Sequence, residues 1–246
     1  MTESMTDGEL AATLARAAGA LLIDLRATPG LEGKELGDAG DAAANELLVT
    51  ALRAARPRDG LLSEESKDNG ERLGQDRVWI IDPVDGTREY GEGRDDWAVH
   101  VGLAVDGKAA GGAVALPALD VVLGSDRTGP QPRRADRLRM VVSRSRPAKE
   151  ALAVSDKLNA ELVPMGSAGA KAMAVVRGEA DIYLHSGGQY EWDNCAPVAV
   201  AEAHGLHCSR IDGSPLVYNC RNPYLPDLLI CHKQDAGTIL DLVAKI

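Results

Sequence analysis

Phenylalanine is absent from the 246 residues, and aromatic residues of all kinds amount to 3% of the chain. Aliphatic residues and alanine must therefore fill the core. Basic residues are also in deficit: 27 Lys and Arg stand against 37 Asp and Glu, for a net charge of −10. That sign disfavours nonspecific binding to nucleic acid or to a membrane surface. It opposes an anionic substrate as well, unless bound metal ions reverse the charge locally. Cysteine is sparse, and Cys195, Cys208, Cys220 and Cys231 include no pair at C-x-x-C spacing. Reduced thiols in a cytoplasmic protein are the expectation. No apolar run reaches the roughly 18 residues that a membrane-spanning helix needs. The amino terminus lacks the basic-then-apolar layout of an export signal. What remains is 45% hydrophobic and 26% charged, ordinary for a soluble globular chain of one large or two small domains.

Local patterns give an order of elements. Thr6-Asp7-Gly8-Glu9 has capping-box spacing, and Leu10, Leu14, Ala17, Leu21 and Leu25 recur at helical intervals, so a helix runs to about Arg26. A polar loop is expected from Thr28 to Gly40, then a second helix with Asp41 at or near its N-cap, ending before Pro57. Leu61 to Ser63 reads as a short strand. Trp97 to Val105 and Ala109 to Leu116 alternate around the turn Asp106-Gly107, as a hairpin does, and Val121 to Leu123 adds a strand. Composition shifts to Pro, Gly and Arg between Arg127 and Arg139, which suggests a boundary: an α+β unit over 1–135, then an α/β unit over 136–246. In the second unit, strands at Leu138–Ser143, Leu162–Met165, Ala180–Leu184 and Leu228–His232 alternate with helices at Pro147–Leu158, Ala168–Arg177, Asp193–His204 and Ala236–Ile246.

The stretch Val78-Trp79-Ile80-Ile81-Asp82-Pro83-Val84-Asp85-Gly86-Thr87 stands out. A buried strand leads into two carboxylates, with Pro83 holding Asp82 extended and Gly86 permitting a turn. Carboxylates this close repel unless a cation lies between them, and a divalent metal with hard oxygen ligands would serve. A turn whose Asp residues cap a helix is the alternative. Glu64-Glu65 and Asp193 also stand at element ends, and each alone reads as a solvated turn or an N-cap. Together they could converge on a multinuclear site. His204, His207 and Cys208 lack the partner pair that a zinc site needs and read as packing and surface residues.

Taken in order, Ser63-Glu64-Glu65-Ser66, Trp79-Ile80-Ile81-Asp82-Pro83-Val84-Asp85-Gly86-Thr87 and Glu191-Trp192-Asp193 resemble the lithium-sensitive, magnesium-dependent phosphatases of the inositol monophosphatase superfamily. Asp85-Gly86-Thr87-Arg88-Glu89-Tyr90, Gly166 to Lys171 and Trp192-Asp193-Asn194-Cys195-Ala196-Pro197 are most similar to its 3′(2′),5′-bisphosphate nucleotidase (CysQ) branch. The resemblance implies a layered αβαβα sandwich with the site between two halves. It implies two or three Mg²⁺ ions held by Glu64, Asp82, Asp85, Asp193 and the Val84 carbonyl, and inhibition by Li⁺. Asp41, Thr87 and Glu64 would take catalytic roles. Gly86, Thr87, Arg88, Ser143, Arg144, Arg146, Ser167 and Lys171 would contact substrate. The implied reaction removes the 3′-phosphate of 3′-phosphoadenosine 5′-phosphate, a step linked to sulfate assimilation, in a cytoplasmic homodimer. Inositol monophosphate or fructose 1,6-bisphosphate could be the substrate of the same site. From another class, Arg127 to Arg146 could serve as an RNA-binding arm on a silent scaffold, although the acidic total argues against it.

Overall fold

The computed structural model describes residues 5–126, 129 and 131–246. The first two helices, α1 (Asp7–Arg26) and α2 (Gly33–Ala55), pack together on one face of a five-stranded sheet. That sheet runs β1 (Gly60–Ser63), β2 (Arg77–Asp85), β3 (Ala98–Val105), β4 (Lys108–Leu116), β5 (Val121–Gly124), in spatial as in chain order. β1 pairs parallel with β2, and the other pairs are antiparallel. A short helix, α3 (Thr87–Gly91), follows β2. The second sheet has the order β7-β6-β8-β10-β9, from β6 (Arg139–Ser143), β7 (Glu161–Met165), β8 (Ile182–Ser186), β9 (His207–Ser209) and β10 (Asp227–Cys231). α5 (Ala168–Val176) and α6 (Glu191–Ala203) share one hydrophobic cluster with residues of both sheets, and α4 (Lys149–Leu158) and α7 (Lys233–Val243) cover the outer face of the second. The layers are α, β, α, β, α.

The expected elements are present with small shifts in their ends. The composition-shift segment begins at Arg127, which with Thr128 and Pro130 lies outside the described residues. One expectation fails. α2 begins at Gly33, so Asp41 is an interior residue of the helix and not its cap. Gly33, Gly37 and Gly40 read as loop signals, but a Cβ at Gly37 would lie 2.8 Å from the Thr87 methyl and one at Gly40 2.7 Å from the Tyr90 ring. Gly37 and Gly40 let the helix pass close over α3, a tertiary demand that overrides local propensity. β9 was not anticipated, since three residues are too few for alternation to register.

β3 is buried on both faces. Val99, Val101 and Leu103 pack with α1 and α2, which turns Ala98, His100, Gly102 and Ala104 toward α5 and α6. The chain has no large rings to spare for this second interface, and it is closed by backbone contact. A Cβ on Gly102 would lie 2.8 Å from the Ala196 nitrogen, and one on Gly112 would lie 3.3 Å from the Ala196 Cα.

Candidate metal and phosphate site

A one-residue irregularity in β2 builds the centre of the site. Asp82 pairs with His100 and Asp85 with Ala98, so three steps along β2 match two along β3. In a regular strand, residues 82 and 85 would point to opposite faces. The bulge at Pro83-Val84 turns both carboxylates toward α5 and α6. There the first turn of α6 presents Asp193, and one carboxylate oxygen from each of Asp82, Asp85 and Asp193 falls within 4.8 Å of the others. Glu64, at the end of β1, lies against Asp82. Asn45 of α2 fixes that strand end, accepting from Ser63 Oγ at 2.7 Å and donating to Ser66 Oγ at 3.2 Å.

The electrostatics are those of an anionic cluster with too little positive charge beside it. Burial, then the charges of Glu64, Asp85 and Asp193, raise the Asp82 carboxyl well above the carboxylate range. Its Oδ1 has no hydrogen-bond partner among the described residues. Asp193 is pushed up to about 7 by burial and by Asp85, although its Oδ2 accepts from the Tyr190 N–H at 2.7 Å. Glu64 opens to solvent at the rim, yet the cleft walls and the charge of Asp85 push it to about 7 as well. Asp85 goes the other way. Burial opposes its charge, but His100, Ser167 Oγ and the Gly169 N–H hold it at about 2. An orphaned buried oxygen among crowded carboxylates, with an all-oxygen donor set, fits a hard divalent cation.

Thr87 and Asp41 stand together at one side of this cluster. Thr87 Oγ lies 3.1 Å from the Val84 carbonyl oxygen and 3.4 Å from Asp41 Oδ1. Asp41 is half-buried and pushed up to about 7 by desolvation and by the charge of Glu65. Gly86 turns the chain into α3 with φ of 89°, a conformation that glycine adopts without strain.

On the other side, a cavity of about 520 Å³ is lined by Ser143, Arg146, Lys149, Lys171 and His185, and reaches Ala168 and Asp193. Arg144 and Arg88 are committed elsewhere. Arg144 Nη2 donates to Glu89 at 2.7 Å and Glu92 at 3.0 Å, and the exposed Arg88 donates to Glu92 at 2.8 Å. Ser167 and Lys171 also have internal partners. Ser167 Oγ donates to Asp85 at 2.5 Å, and Lys171 Nζ donates to the Gly166 and Ser167 carbonyls. Burial lowers Lys171 to about 8. The glycine-rich turn is thus braced by its own lysine.

Several participants escape sequence reading. His185 and Gln189 line the cavity without a motif to mark them. His100 is a lone histidine in an apolar strand, and its position on the face of Ala98 and Gly102 was the available signal. Arg72 is 2% exposed, donates to Asp68 and Asn219, and reaches the Cys220 carbonyl at 2.9 Å. Glu191 accepts from the Asn219 and Cys220 N–H groups, which ties the start of α6 to that loop. His204 and His207 have local partners, the Val200 carbonyl and Ser209 Oγ, in keeping with packing.

A layered αβαβα sandwich with an acidic cluster beside a cationic cavity has the form of a phosphatase that works through metal ions. The sequence profile of the Inositol monophosphatase family matches residues 8–245, and the chain belongs to that family. It is 48% identical over 260 aligned positions to a 3′-phosphoadenosine 5′-phosphate phosphatase of Mycobacterium leprae, with 98% of this chain and 95% of that protein covered. It is 30% identical over 199 positions to the 3′(2′),5′-bisphosphate nucleotidase CysQ of Escherichia coli, covering 76% of this chain and 81% of that one. Among solved structures, CysQ of Bacteroides thetaiotaomicron superposes with a TM-score of 0.80 at 24% identity, over 92% of this chain and 97% of that one.

Proposed function

We propose that this protein is a Mg²⁺-dependent phosphomonoesterase that converts 3′-phosphoadenosine 5′-phosphate to AMP and phosphate. The observation that carries the reading is the convergence of Asp82, Asp85 and Asp193 within 4.8 Å beside the cavity lined by Arg146, Lys149, Lys171 and His185. One part of such a site suits a reacting phosphate and the other a second, spectator phosphate. The relatives named for the same reaction at 48% and 49% identity support the choice of substrate.

Asp82, Asp85, Asp193, Glu64 and the Val84 carbonyl would hold two or three divalent ions. When bound, these supply Lewis acidity toward phosphate oxygens and water. The remaining work falls to this chain's own groups. Thr87 Oγ, between Asp41 Oδ1 and the Val84 carbonyl, orients a water toward phosphorus. Asp41, near 7 in the ion-free protein, accepts its proton at neutral pH. The new P–O bond forms as the P–O3′ bond breaks, and the 3′ oxygen leaves to be protonated by solvent. Gly86 allows the backbone to approach the phosphate closely. Arg146 takes the spectator 5′-phosphate, supported by Lys149 and His185, while Arg144 stays with Glu89 and Glu92. Ser143 lines the same cavity, and Ser167 and Lys171 act by holding Asp85 and the turn. Inhibition by Li⁺, a cytoplasmic location and a homodimer belong to the same reading. Two observations are consistent with the location: the four cysteines are free, and no helix among the described residues is long and apolar enough to cross a membrane.

Purified protein assayed with Mg²⁺ against 3′-phosphoadenosine 5′-phosphate, inositol 1-phosphate and fructose 1,6-bisphosphate tests the proposal. The nucleotide should give the highest kcat/KM. A higher value for either sugar phosphate would replace the substrate, and no phosphate release from any of the three would remove the activity.

A further inference from the structure

His100 joins the two chain segments that carry the acidic cluster. It lies on β3 with 0% exposure. Its Nδ1 is 3.0 Å from the Trp192 carbonyl oxygen. A carbonyl only accepts, so Nδ1 carries a hydrogen and donates, and a carboxylate only accepts, so the ring nitrogen that faces one carries a second. Its Nε2 lies 3.1 Å from Asp85 Oδ2. Gly169 makes room for the ring, since a Cβ there would sit 2.0 Å from Nε2. One side chain thus spans the end of β2, which supplies Asp82 and Asp85, and the first turn of α6, which supplies Asp193.

The two oxygens of Asp85 are not equivalent. Oδ2 accepts from Ser167 Oγ at 2.5 Å and Gly169 N at 2.5 Å, and faces His100 as well. Among the described residues Oδ1 accepts only from Ala168 N, at 3.1 Å. A carboxylate oxygen offers about two lone-pair sites, so Oδ2 is fully used and Oδ1 keeps one in reserve.

We propose that His100 is a positioning residue for divalent-ion binding. It sets Nε2 at 3.1 Å from Asp85 Oδ2, a charge contact beside the hydrogen bonds of Ser167 and Gly169, and ties the end of β2 to the α6 turn that bears Asp193. The inference rests on the reading of these three carboxylates as an ion site. Partners that orient a ligand from behind typically change metal affinity ten- to a hundredfold when removed.

Two variants separate the arms of the imidazole. The amide of His100→Gln reaches about as far as Nε2 and keeps the donor toward Asp85. The amide of His100→Asn reaches about as far as Nδ1 and keeps only the donor to Trp192. Mg²⁺ binding to the substrate-free protein is measured by titration calorimetry, with thermal melts as the check on folding. His100→Gln should bind Mg²⁺ within about threefold of wild type, and His100→Asn about tenfold or more weakly. Unchanged affinity in His100→Asn, or equal loss in both variants, would reduce His100 to a packing residue and overturn the proposal. A wild-type protein that binds no Mg²⁺ would instead remove the ion site and this proposal with it. Should neither variant fold, ¹⁵N spectra of the wild-type imidazole decide the matter. On Mg²⁺ addition the Nε2 signal should move more than the Nδ1 signal, and an unmoved Nε2 at saturation refutes the role.

Discussion

Replacing Asp82 with Asn should stabilise the ion-free protein while removing its response to Mg²⁺. The Asp82 carboxyl is 1% exposed, its Oδ1 lacks a partner, and Glu64, Asp85 and Asp193 crowd it. At an effective dielectric of about 20, two unit charges at the 4.8 Å limit of this cluster repel by about 3.5 kcal/mol. Wild type relieves part of that by taking up protons, so the net gain from Asp82→Asn is about 1–3 kcal/mol. For a chain of this size that raises Tm by roughly 2–12 °C. The pH dependence follows from the sign of the shifts. The carboxyls of Glu64, Asp82 and Asp193 are raised by folding, so the native state binds more protons than the unfolded chain. Ion-free wild type therefore loses stability as pH rises from about 4, where unfolded carboxyls titrate, through 7. The advantage of Asp82→Asn should be larger at pH 8 than at pH 4, where it vanishes. Thermal melts in EDTA and in saturating MgCl₂ at both pH values read this directly. A variant that melts at or below wild type in EDTA at pH 8, or that gains as much from Mg²⁺ as wild type does, would refute the ion-site argument.

Two further outcomes concern specificity and packing. Arg146→Ala should raise KM for the bisphosphate nucleotide about ten- to a hundredfold with little change in kcat, since a charge-assisted hydrogen bond contributes about 1.5–3 kcal/mol. Arg144→Ala should leave KM within about threefold and register in the melting temperature, because it strands the buried Glu89 carboxylate; steady-state kinetics on both variants compares them. Gly102→Ala should cost about 1–3 kcal/mol by forcing a methyl against the Ala196 nitrogen and Cys195 Sγ, measured as a fall in Tm with the fold retained by circular dichroism.

Much of this architecture is legible in the residues. Alternation around Asp106-Gly107 locates the β3–β4 hairpin, because period-two burial and turn chemistry agree there. The Asp-Pro-x-Asp-Gly-Thr stretch marks the site, because few folds tolerate two adjacent buried carboxylates. The failures have physical causes. Gly37 and Gly40 are helical because α3 crosses them closely, a contact no local pattern announces. Arg144 and Arg146 look alike in sequence, and Glu89 and Glu92, more than fifty residues away, tell them apart. Lys171 ends a glycine-rich turn that looks like an anion site, and two of its three N–H donors go to that turn's carbonyls, which the sequence does not announce. His100 carries no motif, and its meaning depends on a pairing register with Asp82 that only the folded sheet reveals.

The close seat of α6 on Gly102 and Gly112 has a consequence for the spacing of the acidic cluster. Between the sheet that bears Asp82 and Asp85 and the helix that bears Asp193, main chain touches main chain. The gap is set by atomic radii, and no repacking of side chains can widen or narrow it. A lineage free to exchange its aliphatic interior would keep the same gauge between its carboxylates, as long as those two glycines stayed bare.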